Sequence, residues 1–505
     1  MQALAPSSAA PLAPRTDARQ FGGASTLLAP RLPIGLYDVF VGVSLATVLL
    51  QIGKLGIFPV TLQTVLGLVI LIVQPGVVVN SMLRCLRQPF MLAFCLLYVA
   101  ITLTPDSRFG IRFGIVASLG RCVSMLALMA MFVHYCLSHP RRPNRFLSQL
   151  AVLLAVAQLW YLGELLLPDV FVPIRTRLYY DWYLLEATES NVTVEKLAAT
   201  KITGLSPMLH LLGYLSCAAL AFSLTSILSL RLSERFQNSL GMLALIGISA
   251  LAIALNLQRA AMAGGVVGAG LMIFSPFRQR LVARLPIVFG VTLAMVLSLL
   301  PRVLISMDRR AAHSSGDFVH LGDKLQRATD VGFRLQMQIE AIRLIAKAPF
   351  GLEYHGISWQ DQGLAAAEAA TGMSGGNVAV HNGYLSLALQ LGWFAAVMSL
   401  VFLVSSARAI WRCVRSPRDL PGLRAETMVA IAAACFGLIF VQPFLHHSNI
   451  FKREPASLVF TSLLAYCMLG RAALESQTSR VRSVALRQQH YSGEAARVAI
   501  VRQGA

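Results

Sequence analysis

The stretch whose reading decides the fold is HNGYLSLALQLGWFAAVMSLVFLV (381–404). It opens with two polar residues at the close of the longest polar excursion in the chain, then runs on as an apolar block. A helix rises about 1.5 Å per residue, so about 20 apolar residues cross a hydrocarbon layer about 30 Å thick. His381 and Asn382 therefore stand at a water–membrane boundary. An imidazole titrates near neutral pH and can exchange a proton there with a lipid-linked molecule. The same pair is also read as a polar helix start at the interface.

The rest of the chain has the same character. Of its 505 residues, 56% are hydrophobic and only 13% charged, and the mean hydropathy is +0.65. That composition excludes a soluble globular protein. Apolar blocks recur at about 34–53, 56–79, 89–105, 113–137, 147–167, 208–230, 239–256, 260–275, 285–301, 383–407, 427–445 and 456–470. Backbone groups in lipid must be satisfied within each segment, so these blocks read as helices. The expectation is an all-α polytopic membrane protein with about twelve transmembrane helices and a large periplasmic loop containing an amphipathic helix. The Ala/Pro/Ser-rich start (1–30) has no apolar core of the kind a cleavable signal peptide needs.

Charge sets the orientation. With the N-terminus inside, the tails and the segments 80–88, 139–146, 231–238, 276–284 and 408–426 hold 24 of the 43 Lys and Arg residues. The short outside loops hold six: Lys54, Arg108, Arg112, Arg259, Lys452 and Arg453. This is the positive-inside bias, and it makes the net charge of +20 mainly a topology signal. It gives a nucleic-acid partner little support, while the Arg-rich tail can meet anionic lipid heads. The expected organisation is a disordered cytoplasmic tail (1–33), a membrane domain (34–470) with periplasmic segments 168–207 and 302–382, and a basic cytoplasmic tail (471–505). Both termini are expected on the cytoplasmic side of the membrane.

Metal and disulfide chemistry find no pattern. The eight cysteines lie in apolar blocks or inside loops, with no CxxC pair. His446 and His447 are adjacent and point different ways on a helix, whereas zinc sites converge three or four ligands. No metal and no cofactor are expected.

The polar positions that remain are few. In VGFRLQMQIEAIRLIAKAPF (331–350), Leu335, Ile339, Ile342 and Ala346 recur at helical spacing beside Arg334, Gln338 and Lys347. This predicts an amphipathic helix ended by Pro349 and Gly351, lying on the outer membrane surface. Arg259, in a tight outside hairpin, either clamps a diphosphate through its planar fork or snorkels to the interface. Arg121 and Glu164 are intramembrane charges that can pair with each other. The run LYYDWYLL (178–185) is either a sugar-stacking platform or an interfacial aromatic belt.

Taken in order, these motifs resemble the bacterial O-antigen ligase and O-antigen polymerase superfamily of membrane glycosyltransferases, over roughly 34–470. The ligases carry His, then Asn, Ser or Gln, nine residues, Gly, two residues, and Gly, Thr or Tyr. His381, Asn382 and Gly392 match, and the last position is Ala395. The family's Arg-x-x-x-Leu has its nearest counterpart in KITGL (201–205), with Lys201 for the arginine. Arg259 resembles its hairpin arginine, and Arg334 with APFG (348–351) resembles its Arg-bearing helix followed by Pro and Gly.

The resemblance implies metal-independent transfer of a glycan from undecaprenyl diphosphate to a hydroxyl, on lipid A–core or on another glycan, at the periplasmic face. Membrane lipid and a chain-length regulator are the further partners it suggests. His381 and Asn382 would be catalytic, with His381 the base. Arg259, Arg334 and Lys201 would bind the diphosphate. A polysaccharide transporter or lipid-linked sugar flippase is the alternative. It calls for charges buried along a central path, and only Arg121 is of that kind.

Overall fold

In the computed structural model the described residues are 34–51, 61–103, 111–180, 183–184, 193–200, 204–205, 209–229, 236–256, 259–280, 282–286, 288–290, 293–294, 297, 331–371, 380, 382–445, 451, 456–477 and 479. They are helical throughout, apart from turns and one isolated bridge between Leu420 and Leu423. Six described helices are long and apolar enough to cross a membrane: Leu119–Ser138, Arg142–Leu166, Leu212–Ser229, Trp393–Arg415, Ala425–Leu445 and Ala456–Gln477. Shorter apolar helices cover Gly35–Leu50, Pro89–Thr102, Gly241–Ile253 and Ala260–Phe274. The segments 1–33, 298–330 and 480–505 lie outside the described residues, as does part of the block at 285–301.

Leu209–Ser229 is the axis of the bundle. It packs against Arg142–Leu166, Phe236–Asn256, Arg259–Gly270 and Ala425–Phe436. Small side chains make this possible. Lipid tails are as apolar as a helix face, so association depends on close contact rather than on escape from water. Cys217, Ala218, Ala219 and Ala221 are fully buried, and so are Ala430 to Ala434. At Gly437 a Cβ would lie 2.5 Å from the Gly264 carbonyl oxygen, so the helix Arg259–Gly270 rests directly on the backbone of its neighbour.

Two expected spans are broken. The block at 56–79 forms Leu62–Val73, then turns by 104° at Gln74 into Pro75–Leu86. Proline suits a first helical position because it has no N–H to leave unsatisfied. The block at 383–407 divides into Gly383–Leu391 and Trp393–Arg415 around Gly392, whose φ is +68°. The membrane-length piece thus begins at Trp393, and Asn382 starts a separate short helix.

At the Arg-rich end the cations cap helix C-termini. Arg280 donates to the Ser229 carbonyl at 2.6 Å and pairs with Glu426 at 3.1 Å. Arg284 reaches the Ile227 carbonyl at 2.8 Å, and Arg471 those of Arg412 and Ser416 at 3.0 and 2.9 Å. These are the carbonyls a helix leaves unpaired, where its dipole is negative.

The supposed Arg121–Glu164 pair does not form. Arg121 is exposed on the bundle surface. Glu164 pairs with Arg175 at 3.1 Å, both side chains being wholly buried. Arg175 also donates to the Ala198 carbonyl and lies 5.4 Å from the Tyr183 ring centre. The aromatic run around it is neither a belt nor a platform throughout. Tyr179 and Tyr183 turn inward, Tyr179 donating to the Leu50 carbonyl at 2.5 Å, while Tyr180 is exposed. Burial pushes the Tyr179 phenol far above its ordinary range.

Candidate functional site

The site is built at the other end of the bundle, from the break at Gly392. Helix Val331–Lys347 and short helix Gly383–Leu391 end at one knot. Leu352 N–H donates to the Leu389 carbonyl at 2.8 Å, and Trp393 N–H to the Pro349 carbonyl at 2.9 Å. The Trp393 indole N–H donates to the Ile345 carbonyl at 3.0 Å. A Cβ on Gly392 would fall inside the Pro349 carbonyl, and the positive φ there suits glycine alone. APFG and the motif glycine are thus two halves of one contact.

From that knot the helices lie side by side, with Ala341, Leu344 and Ile345 against Leu385, Ala388 and Leu389. Both helices end at the knot, and the part of the long helix packed against the short one is its C-terminal half. Arg334 is half-buried and makes no hydrogen bond or ion pair among the described residues. Glu340 is committed elsewhere, to Arg343 at 3.1 Å and to Gln336 at 3.0 Å.

The long helix has two apolar faces. Phe333, Met337, Ala341 and Leu344 are packed, partly against the turn Trp359–Leu364 and the helix Ala365–Thr371. The expected stripe of Leu335, Ile339, Ile342 and Ala346 is exposed, and Phe350 and Tyr354 extend it.

Asn382 is the N-cap of the short helix and is buried. Its side-chain oxygen accepts from the N–H groups of Tyr384 and Leu385 at 3.0 and 3.1 Å. Only its amide NH2 is left to orient a neighbour. Val380 is buried in the cluster of the long helix. His381 itself lies outside the described residues, as does Lys201. Next to Lys201's position, Gly204 N–H donates to Glu164 at 3.3 Å and Leu205 is buried. Arg259 begins the helix Arg259–Gly270, and its side chain too lies outside the described residues.

Two residues not singled out in the sequence join these pieces. The buried Tyr384 donates to the Ile439 carbonyl at 2.7 Å. Ile439 lies in the π turn Gly437–Val441, a local break in the regular helical bonding of this span. Gln442 follows, almost fully buried, with its Oε1 unpartnered among the described residues. The same π turn packs against the helix that Arg259 begins. The run HNGY held the signal for Tyr384, as an aromatic hydroxyl in an apolar block, and Gln442 is a lone amide in another.

Long apolar helices, two of the apolar blocks broken, and a helical layer folded onto one break define a multi-pass helical membrane protein. Residues 243–400 match the family model described as O-antigen ligase. Over those residues the resemblance to the O-antigen ligase and polymerase superfamily is borne out. Comparison with curated proteins finds no match. The matched region contains Arg259, Arg334, His381, Asn382 and Gly392. Lys201 falls outside it.

Proposed function

We propose that the protein transfers a glycan from undecaprenyl diphosphate to a hydroxyl acceptor at the periplasmic face of the bacterial inner membrane. The observation that carries this reading is the continuous packing that joins its motifs. The helix of Arg259 rests on the π turn, the π turn accepts Tyr384, and the short helix of Asn382 is knotted to the helix of Arg334. This supports a shared site, because the helices that carry Arg259, Asn382 and Arg334 are linked by packing although far apart in sequence.

The chemistry follows from the residue types. The acceptor hydroxyl attacks the sugar carbon opposite the diphosphate, its proton passing to the His381 imidazole. The carbon–oxygen bond to the phosphate breaks, and undecaprenyl diphosphate departs carrying the electron pair. Arg334, Arg259 and Lys201 stabilise the charge that builds on it. Arg334 is suited to this because no protein carboxylate claims it among the described residues. Asn382 acts as a positioning residue, its carbonyl oxygen holding the helix start and its NH2 turned to the imidazole or a sugar hydroxyl. The exposed stripe Leu335–Ile339–Ile342 lays the long helix on the outer leaflet, which keeps Arg334 at phosphate height.

His381→Ala is expected to abolish transfer while leaving abundance and membrane insertion unchanged. Normal product from a normally abundant variant would remove His381 from the mechanism. Arg259→Lys keeps the charge but not the planar fork, and turnover should fall if the contact is bidentate. The acceptor is read from a deletion strain. Unligated polymer on its carrier marks a ligase, and a single lipid-linked repeat marks a polymerase. Purified protein that moves lipid-linked glycan across vesicles without forming a glycosidic bond would make it a transporter instead.

A further inference from the structure

A cleft of about 450 Å³ opens on the bundle surface between the start of Pro89–Leu103 and the last half of Trp393–Arg415. One face of the span lines it: Leu400, Val404, Arg408 and Arg412 follow one another at intervals of four residues, so they stand in one row. Phe90 and Met468 form the opposing apolar wall. The row is apolar toward the middle of the span and cationic toward its end.

Three features define the occupant. First, Arg408 and Arg412 are exposed, and neither side chain makes a hydrogen bond or ion pair among the described residues. Nearby Arg418 and Arg471, by contrast, are satisfied by Glu475 at 3.5 and 2.9 Å. Second, none of the described residues lining the cleft is acidic, and Gln88 with Pro89 brings the positive end of a helix to its rim. Third, Trp411, between the two arginines, is exposed and rests on Phe274 at 5.6 Å between ring centres. An exposed tryptophan at the end of a span marks headgroup depth.

We infer that this cleft binds an anionic phospholipid, its phosphate held by Arg408 and Arg412 and one acyl chain lying along Leu400 and Val404 against Phe90. The site is independent of the glycan-transfer reading and uses none of its residues.

Native mass spectrometry of the detergent-purified full chain tests this, with added phosphatidylglycerol or phosphatidylcholine of the same acyl composition. Wild type should retain phosphatidylglycerol preferentially. A basic residue near anionic lipid contributes about fivefold to binding, so R408Q/R412Q should lower that preference by about 25-fold. Arg415→Gln, on the same helix but outside the cleft, should stay within about twofold. Val404→Trp keeps both charges and should also displace the lipid by filling the groove. Equal retention of the two lipids by wild type, or an unchanged preference in R408Q/R412Q, would overturn the assignment. So would a dimer in the same spectra that Val404→Trp dissociates while lipid retention stays the same, because the groove would then seat a second copy.

Discussion

Arg175 and Arg334 are both arginines in segments read from the sequence as outside loops, yet they do opposite work. Arg175 is sealed in protein, paired with Glu164 at 3.1 Å and bonded to the Ala198 carbonyl beneath the ring of Tyr183. Arg334 stands half-exposed with no described partner, on a helix whose only buried carboxylate, Glu340, is engaged by Arg343 and Gln336. A buried cation must be neutralised by the fold and has nothing left for a ligand. A cation that the fold leaves unpaired at a membrane boundary is free to meet a phosphate. The second kind is where function is sought.

That contrast is open to breaking, beginning where the effect on stability is largest. Arg175→Ala removes the ion-pair partner of the wholly buried Glu164 and should destabilise the protein by about 3–5 kcal/mol, seen as a collapse in thermal stability and recovered yield. Removing both charges with Arg175→Met and Glu164→Leu should restore most of that loss, and failure to do so would mean that Arg175 serves more than its pair. Gly392→Ala comes next. Strain at a positive φ costs about 1–3 kcal/mol before the clash with Pro349 is added, so both transfer and stability should fall together.

Smaller effects sharpen the comparison. Tyr384→Phe removes one neutral hydrogen bond to Ile439 and should cost about 0.5–1.5 kcal/mol, with transfer reduced more than stability if the π turn positions the site. Arg334→Ala should shift stability by less than about 0.5 kcal/mol, as for other partly exposed positions, and yet lower glycan transfer at least about tenfold. A stability loss like that of Arg175 would place Arg334 among the structural arginines.

How much of this was legible beforehand differs by residue. The surface helix was readable because its stripe has a 3.6-residue period, and its exposed face consists of the expected Leu335, Ile339, Ile342 and Ala346. That the same helix has a second, packed face through Met337 and Ala341 was hidden, since both faces are apolar and periodicity reports only one. Asn382 was readable as a helix start, and its N-cap geometry agrees. Glu164 announced a partner without naming it. Arg121 was chosen by depth in a span, whereas Arg175 wins because the chain folds back through Pro168–Leu178.

By itself the sequence determined the helical membrane class, the clustering of cations toward one end, and the polar pair at the head of an apolar block. Those properties depend on solvent preference averaged over about 20 residues, and the average survives any local detail. Tertiary structure alone decided where that block breaks, which carboxylate takes which arginine, and how the helices that begin at Arg259, Val331 and Gly383 are linked through packing. Each depends on a single partner arriving from elsewhere in the chain. Gly392 is allowed a positive φ by its own covalent structure, but it adopts one because the Pro349 carbonyl accepts the next N–H at 2.9 Å.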